Sequence, residues 1–283
     1  MSGKSTVIVA VAAFILVGLG LFAYFSHEPF RKGTNEFVRE HILGEGTKVD
    51  SVATSSLPHW IYLIADPTDI EDGEFAIPRV DTAFINGLLT WQFDNGGGCF
   101  WLTYIDNRSQ DNEVKYLPVP SRKSVPALPI ARSGETSFDF TERMTMYEKQ
   151  KPVWVADSAR TLEDFLKAKI TFLQDCQVFL TRQVYVTGSP THRRSDVIGS
   201  LNAGFRSLSV SSNIEGLSKY IIAFSDLVHN VKNSPSLGRI PDDVTIIAVN
   251  PMPGSSKKVT ENVTEVEHPR RVFDILSASE RAR

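Results

Sequence analysis

Three short loops of this sequence place oxygen-bearing side chains beside predicted strands and helices. Asp66 and Thr68 follow an apolar run. Ser195 precedes an amphipathic segment, and Asp226 follows a second apolar run. Two carboxylates and two hydroxyls at one place would form an all-oxygen site, which suits a hard divalent cation such as Mg²⁺. Because these loops contain neither a thiol nor an imidazole, they do not indicate a zinc site.

The apolar patterns around these loops alternate between strand and helix. We predict strands at residues 59–65, 99–105, 113–119, 220–224 and 244–249. We predict helices at residues 80–93, 138–150, 162–180, 196–208 and 271–283, with Thr161 as the cap of the third. Gly96, Gly97 and Gly98 precede a strand, which indicates a turn and not a phosphate-binding loop.

This alternation predicts an α/β fold with a doubly wound, mostly parallel central sheet flanked by helices. Ligands of such sheets bind beyond the carboxyl ends of the strands. Asp66 and Asp226 both follow strands that are buried in this prediction. We therefore expect the two carboxylates to lie at the same edge of one sheet.

The order of these loops resembles the von Willebrand factor A family. The metal-ion-dependent adhesion site of that family uses Asp-x-Ser-x-Ser after the first strand, a Thr before a helix and an Asp after a later strand. Asp66 and Thr68 match the first loop, Ser195 stands at the Thr position, and Asp226 matches the third loop. The resemblance covers roughly residues 58–250. It implies a Mg²⁺ site at these four residues and recognition of a protein partner.

The sequence departs from the family pattern at two positions. Ile70 stands where the second Ser should be, which removes one ligand and implies a degenerate site. Leu227 replaces the Gly that usually follows the third-loop Asp. A structural interpretation of the same loops is that Asp66 and Asp226 cap turns by accepting hydrogen bonds from backbone N–H groups.

An enzymatic alternative is a Mg²⁺-dependent phosphatase similar to the haloacid dehalogenases. In that arrangement Asp66 would be the nucleophile. Its other members would be Thr187, Lys219, and either Asp226 or the Asp242-Asp243 pair. Thr68 occupies the position where this mechanism needs a second aspartate, so we prefer a non-enzymatic function.

The amino-terminal part of the sequence predicts a membrane anchor. Residues 7–25 contain no charged side chain and would span roughly 28 Å as a helix, close to the thickness of the hydrocarbon core. They follow a short tail at residues 1–6 and precede a polar stalk at 26–57. Positive charges after the segment would place the domain in the cytoplasm. Against this, a very short basic tail before a single amino-terminal helix commonly stays in the cytoplasm, and the domain is then exported. We expect a single-pass protein whose domain is exported, which is the periplasmic side in a bacterium.

The remaining features limit the partners and the domain plan. The net charge of −3 provides no basic surface for nucleic acid, so we expect protein partners in a membrane-associated complex. We predict an α/β domain at residues 58–250, an insert at about 121–180 that would give partner specificity, and a tail at 251–283. Cys99 and Cys176 are compatible with one disulfide or with two buried thiols.

Overall fold

The structure is a computed structural model and describes residues 57–67, 77–186, 194–209, 217–231 and 236–281. The strands are β1 (His59–Ala65), β2 (Gly98–Tyr104), β3 (Lys115–Val119), β4 (Ser218–Phe224), β5 (Val244–Val249) and β6 (Val263–Val266). The helices are α1 (Thr82–Asp94), α2 (Ser137–Phe179), α3 (Val197–Ser209), α4 (Ser255–Val259) and α5 (Arg270–Arg281). A 3₁₀ turn covers Ser109–Asp111, and a π-helical turn at Leu180–Val184 follows α2.

The six strands form one sheet in the order β3-β2-β1-β4-β5-β6. All neighbouring pairs are parallel except β2 and β3, so β3 is an antiparallel edge strand and β6 is the opposite edge. The predicted α/β class with a mostly parallel sheet is confirmed. This strand order also occurs in doubly wound sheets, in which the chain reverses its direction of winding between β1 and β4.

Both faces of the sheet are covered by helices because the central strands are apolar on both sides. In β1, Ile61 and Leu63 belong to the core that α1, α2 and α5 cover. Tyr62 and Ile64 alternate with them and belong to the core that α3 covers. All seven residues of β1 are buried, as a near-continuous apolar run predicts for an inner parallel strand.

The glycine turn before β2 agrees with the prediction. Gly96, Gly97 and Gly98 have φ angles of 101°, 73° and 132°, which side chains rarely tolerate. Gly98 lies opposite His59 in the β1–β2 ladder. A Cβ atom at Gly98 would lie 1.9 Å from the carbonyl oxygen of His59, so only glycine fits where the two strands begin.

The two helices predicted within residues 138–180 are wrong as separate elements. A single helix, α2, runs from Ser137 to Phe179 with Pro152 inside it. Thr161 is not a cap, because it lies in the helix interior and its Oγ1 donates to the Asp157 carbonyl oxygen at 2.9 Å. Asp157 lies in the part of α2 between the two predicted helices. It forms an ion pair of 2.6 Å with Lys123, which precedes α2 in the sequence.

The described chain divides into two compact units that differ from the predicted plan. One unit contains Val125–Pro152, which falls within the predicted insert. The other contains the sheet and is built from residues 57–124 and 153–281. Residues 251–281, predicted as a tail with a helix at 271–283, belong to the sheet-containing unit: β6 pairs with β5, and α5 buries Val272 and Leu276 against the core.

The described residues contain no helix that is both long enough and apolar enough to cross a bilayer. The predicted anchor at residues 7–25 and nearly all of the predicted stalk lie outside the described residues. The membrane anchor and its orientation therefore both stay predictions.

The two cysteines are free thiols in different environments. Cys176 is fully buried, and burial raises the pKa of its thiol to about 12. Cys99 is half-buried, and its Sγ lies 3.3 Å from the hydroxyl oxygen of Tyr116. The open question of a disulfide is thus answered in favour of two separate thiols.

We expect an aromatic disulfide reagent at pH 8 to label no more than one thiol of the folded protein, that of Cys99. The thiolate is the reacting species, and burial of Cys176 both suppresses ionisation and blocks access. Unfolding in guanidinium should release the second thiol, and Cys99→Ser should remove the native reaction. Two thiols labelled in the folded state, or none after unfolding, would contradict this assignment.

Candidate functional site

The carboxyl ends of β1 and β4 meet at the point where the winding of the sheet reverses. Ala65, the last residue of β1, is opposite Phe224, the last residue of β4. The Asp66 N–H donates to the Phe224 carbonyl oxygen at 2.9 Å, which extends the ladder one residue beyond the strands. Asp66 and Ser225 therefore follow adjacent strands at the same level, where ligands of this architecture bind.

Asp66 is a buried carboxylate bound by a hydroxyl from the neighbouring strand end. Its side chain is only 1% exposed, and Ser225 Oγ donates to its Oδ2 at 2.6 Å. The same Ser225 oxygen accepts the N–H of Leu227 at 3.0 Å. A hydrogen bond to an ionised carboxylate is stronger than one between neutral groups. Ser225 thus holds the Asp66 carboxylate at the sheet edge and also fixes the turn that follows β4.

Leu227, which follows Asp226, takes a left-handed backbone conformation. Its φ is 58°, a region that costs a side chain about 1–2 kcal/mol. The side chain is 2% exposed and belongs to the core beneath α3. Burial of a leucine side chain contributes roughly 1.5–3 kcal/mol, which offsets the backbone cost. A leucine is therefore tolerated in this left-handed turn.

Asp226 is the more accessible of the two carboxylates. It is half-buried, and its Oδ1 accepts the Val228 N–H at 2.8 Å. Burial raises the pKa of Asp226, and the Val228 N–H opposes that shift. Its carbonyl oxygen accepts from the N–H of Met252 at 3.0 Å and from Ser255 Oγ at 2.5 Å. Hydrogen bonds from the segment after β5 therefore fix the backbone of this turn.

Ser195 is joined to the loop after β4 by two hydrogen bonds. Its N–H donates to Asn230 Oδ1 at 2.7 Å, and the Asn230 N–H donates to the Ser195 carbonyl oxygen at 3.3 Å. Ser195 is 2% exposed and stands two residues before α3. The start of α3 is thus attached to the same loop that carries Asp226.

Three of the four residues predicted as metal ligands lie in loops that are joined to one another by hydrogen bonds, and their binding of a metal stays a prediction. Asp66 bonds to Ser225, Asp226 follows Ser225 directly, and Ser195 bonds to Asn230 at the end of the same loop. Thr68 lies outside the described residues, as does Ile70. For Asp226 the hydrogen bond to Val228 also matches the structural interpretation, in which the carboxylate caps a turn.

Two residues of this edge were not identified as partners from the sequence. Ser225 lies directly before Asp226 in the third loop, and its contact with Asp66 depends on the register between β1 and β4. Asp196 begins α3: its Oδ1 accepts the Gly199 N–H at 2.9 Å, and its own N–H donates to the Asp106 carbonyl oxygen at 2.7 Å. An aspartate directly before an amphipathic segment is the sequence signal of a helix cap.

The donors at this edge have the chemistry of a hard-cation site. Asp66, Ser195 and Asp226 offer only oxygen atoms, as Mg²⁺ requires. No group of three or more His, Cys, Asp or Glu side chains that could hold a metal occurs among the described residues. A cation bound here would consequently depend on hydroxyl ligands and water in addition to the two carboxylates.

The phosphatase arrangement is not assembled at this edge. Lys219 pairs with Asp243 at 2.7 Å and is 4% exposed. It lies opposite Trp60 in the ladder, six residues before Asp66, which corresponds to about 20 Å along the strand. Lys219 and Asp243 are therefore at the amino ends of the strands and cannot share a phosphate with Asp66. Thr187 lies outside the described residues.

No family model, curated protein or solved structure matches this chain. The contacts at the sheet edge and the chemistry of their side chains are therefore the basis for a proposed function. The resemblance to the von Willebrand factor A family adds the expectation that this edge binds a cation and a protein partner.

Proposed function

We propose that this chain is a non-enzymatic protein-interaction module of the von Willebrand factor A type, anchored in a membrane by residues 7–25. The partner binds at the carboxyl edge of the sheet, between β1 and β4. The observation that supports this most directly is the buried Asp66 carboxylate held by Ser225 at the point where the winding reverses. A carboxyl group that is buried and hydrogen-bonded at a ligand-binding edge favours a functional role over a purely structural one.

In this proposal Asp66, Thr68, Ser195 and Asp226 hold a Mg²⁺ ion. Asp66 is the inner carboxylate, and the half-buried Asp226 stands closer to solvent. When bound, the ion supplies a positive charge that can accept a carboxylate of the partner as a further oxygen ligand. The loss of one hydroxyl at Ile70 favours weak, readily exchanged cation binding.

Hydrogen bonds of side chains and of backbone N–H groups provide the rigidity that recognition requires. Ser225 fixes Asp66, the hydrogen bonds to Asn230 hold Ser195, and Ser255 and Met252 support the backbone of Asp226. Loops held on a rigid scaffold are the usual carriers of binding specificity. The module is exported in this proposal, and the anchor keeps it at the membrane surface as part of a complex.

The test is partner capture by cross-linking in intact membranes, with and without a chelator. We expect Asp226→Ala to abolish capture, because it removes the cation ligand nearer to solvent, and to weaken Mg²⁺ binding by at least about tenfold. Isothermal titration of the purified chain with Mg²⁺ measures the second effect.

Asp242→Ala is the matched control. Asp242 is 94% exposed and precedes β5, at the amino end of the strands, so its removal should change neither capture nor cation affinity. Capture that is unchanged both in chelator and in Asp226→Ala would rule out the cation-dependent mechanism. Circular dichroism of each variant shows whether the fold is retained.

A further inference from the structure

A groove of about 560 Å³ runs along α3, and it shares no lining residue with the carboxyl-edge site. Its lining comes from α3, from the 3₁₀ turn after β2 and from the segment before β5. The lining residues are Gln110, Asn202, Phe205, Arg206, Ser209, Gly238, Arg239 and Pro241. This volume is within the range of small-molecule sites. Asp66, Ser195 and Asp226 do not contribute to it.

The wall opposite α3 is held in place by Asn202. The Asn202 side-chain amide donates to the Ser236 carbonyl oxygen at 3.2 Å, and its Oδ1 accepts the Gly238 N–H at 2.8 Å. These two bonds attach the segment before β5 to the helix. The groove is therefore formed before any ligand arrives, which lowers the entropic cost of binding.

The charges on the lining are two arginines and no acid. Arg206 takes part in no ion pair within the described part of the chain. Arg239 lies 3.7 Å from Asp242, but the two side chains are 88% and 94% exposed. Such an exposed pair contributes little, so the Arg239 guanidinium can exchange Asp242 for a better acceptor. The two guanidinium groups match a doubly charged anion.

The rest of the lining is uncharged and partly apolar. Phe205 is 6% exposed and belongs to the core beneath α3, and Pro241 faces the same groove from the segment before β5. Gln110 adds a side-chain amide that can donate to an oxygen. A ligand that combines an anionic group with an apolar body would use both halves of this surface.

We propose that this groove binds a small soluble phosphomonoester, with its phosphate on Arg206 and Arg239 and its apolar body on Phe205 and Pro241. A phosphate monoester is preferred over a carboxylate because it offers three oxygens and close to two charges to two guanidinium groups and one amide. This site is separate from the cation site and does not depend on the proposed function.

The test uses the 283-residue chain in nanodiscs of neutral lipid and phenyl phosphate as the probe, followed by ligand-observed NMR. We expect a dissociation constant on the order of 1 mM. Arg206→Gln and Arg239→Gln should each weaken binding at least about fivefold, and the double variant should abolish it. Inorganic phosphate and benzyl alcohol should each bind more weakly than phenyl phosphate, because each occupies only half of the surface.

Arg271→Gln is the matched control, because Arg271 is also an exposed arginine with an aspartate three residues later, at 3.1 Å. Its binding of phenyl phosphate should equal that of the unchanged chain. The proposal is overturned if phenyl phosphate does not bind at millimolar concentrations or if the double variant binds it equally well. Competition by phosphatidic acid in the nanodiscs would identify a lipid headgroup as the ligand and contradict the assignment to a soluble molecule.

Discussion

Gly98→Ala is expected to destabilise the sheet-containing unit by more than about 4 kcal/mol, a loss that only a few mechanisms produce. The added Cβ would lie 1.9 Å from the His59 carbonyl oxygen and 2.7 Å from its carbonyl carbon. These are backbone atoms of β1, so no side-chain rotation relieves the contact. Either β1 and β2 separate where they begin, or Gly98 abandons its φ of 132°.

Gly254→Ala, in the same sheet-containing unit, separates this steric effect from the cost of the backbone conformation. Gly254 also has a positive φ, 77°, but nothing lies within 4 Å of the position its Cβ would take. It should cost only about 1–2 kcal/mol. Urea unfolding followed by circular dichroism measures both variants, and equal losses would contradict the contact between the two strands.

Ser225→Ala is expected to cost about 2–4 kcal/mol, because it removes two buried hydrogen bonds at once. The Asp66 carboxylate, 1% exposed, would lose the hydroxyl that donates to it at 2.6 Å. The Leu227 N–H would lose its acceptor at 3.0 Å in a turn that is already left-handed. The same variant should weaken Mg²⁺ binding, since Asp66 would no longer be held in one orientation.

Ser218→Ala is the matched control, at the first residue of β4, the strand that Ser225 directly follows. Ser218 is 3% exposed, and among the described residues its Oγ has no hydrogen-bond partner. Its replacement should change the free energy of unfolding by no more than about 0.5 kcal/mol. A double-mutant cycle with Asp66→Asn tests the contact itself. If the two substitutions are additive, Ser225 does not act through Asp66.

The central strands could be predicted because they are near-continuous apolar runs, as strands buried on both faces are. The strand predicted at residues 244–249 has those bounds in the structure, since five of its six side chains are apolar and the last four of these are consecutive and buried. β6 was missed because its four residues include the exposed Thr264 and Glu265, so no apolar run marks it. The continuity of α2 through Pro152 was also missed, because a proline in a polar stretch predicts a break when only local sequence is considered.

The part of the candidate site that could be predicted is the part that depends on strand order alone. Carboxyl ends of neighbouring parallel strands meet, so Asp66 and Asp226 could be placed at one edge from the strand pattern. The contact of Ser225 with Asp66 requires the register that sets Ala65 opposite Phe224. Sequence periodicity does not determine that register when a strand is apolar on both faces. The hydrogen bonds of Asn230 to Ser195 likewise join segments that are 35 residues apart.

The nature of the two outer strands restricts how another chain can associate with this sheet. β3 contains Pro118, which lacks the N–H that a docking strand would need, and β6 has only four residues. Extended peptides bind many domains by adding a strand to an exposed edge, a mode called β-augmentation. Here that mode is disfavoured at both borders. A partner must then bind to side chains and loop surfaces. The same two strands also disfavour aggregation through edge-to-edge pairing of sheets.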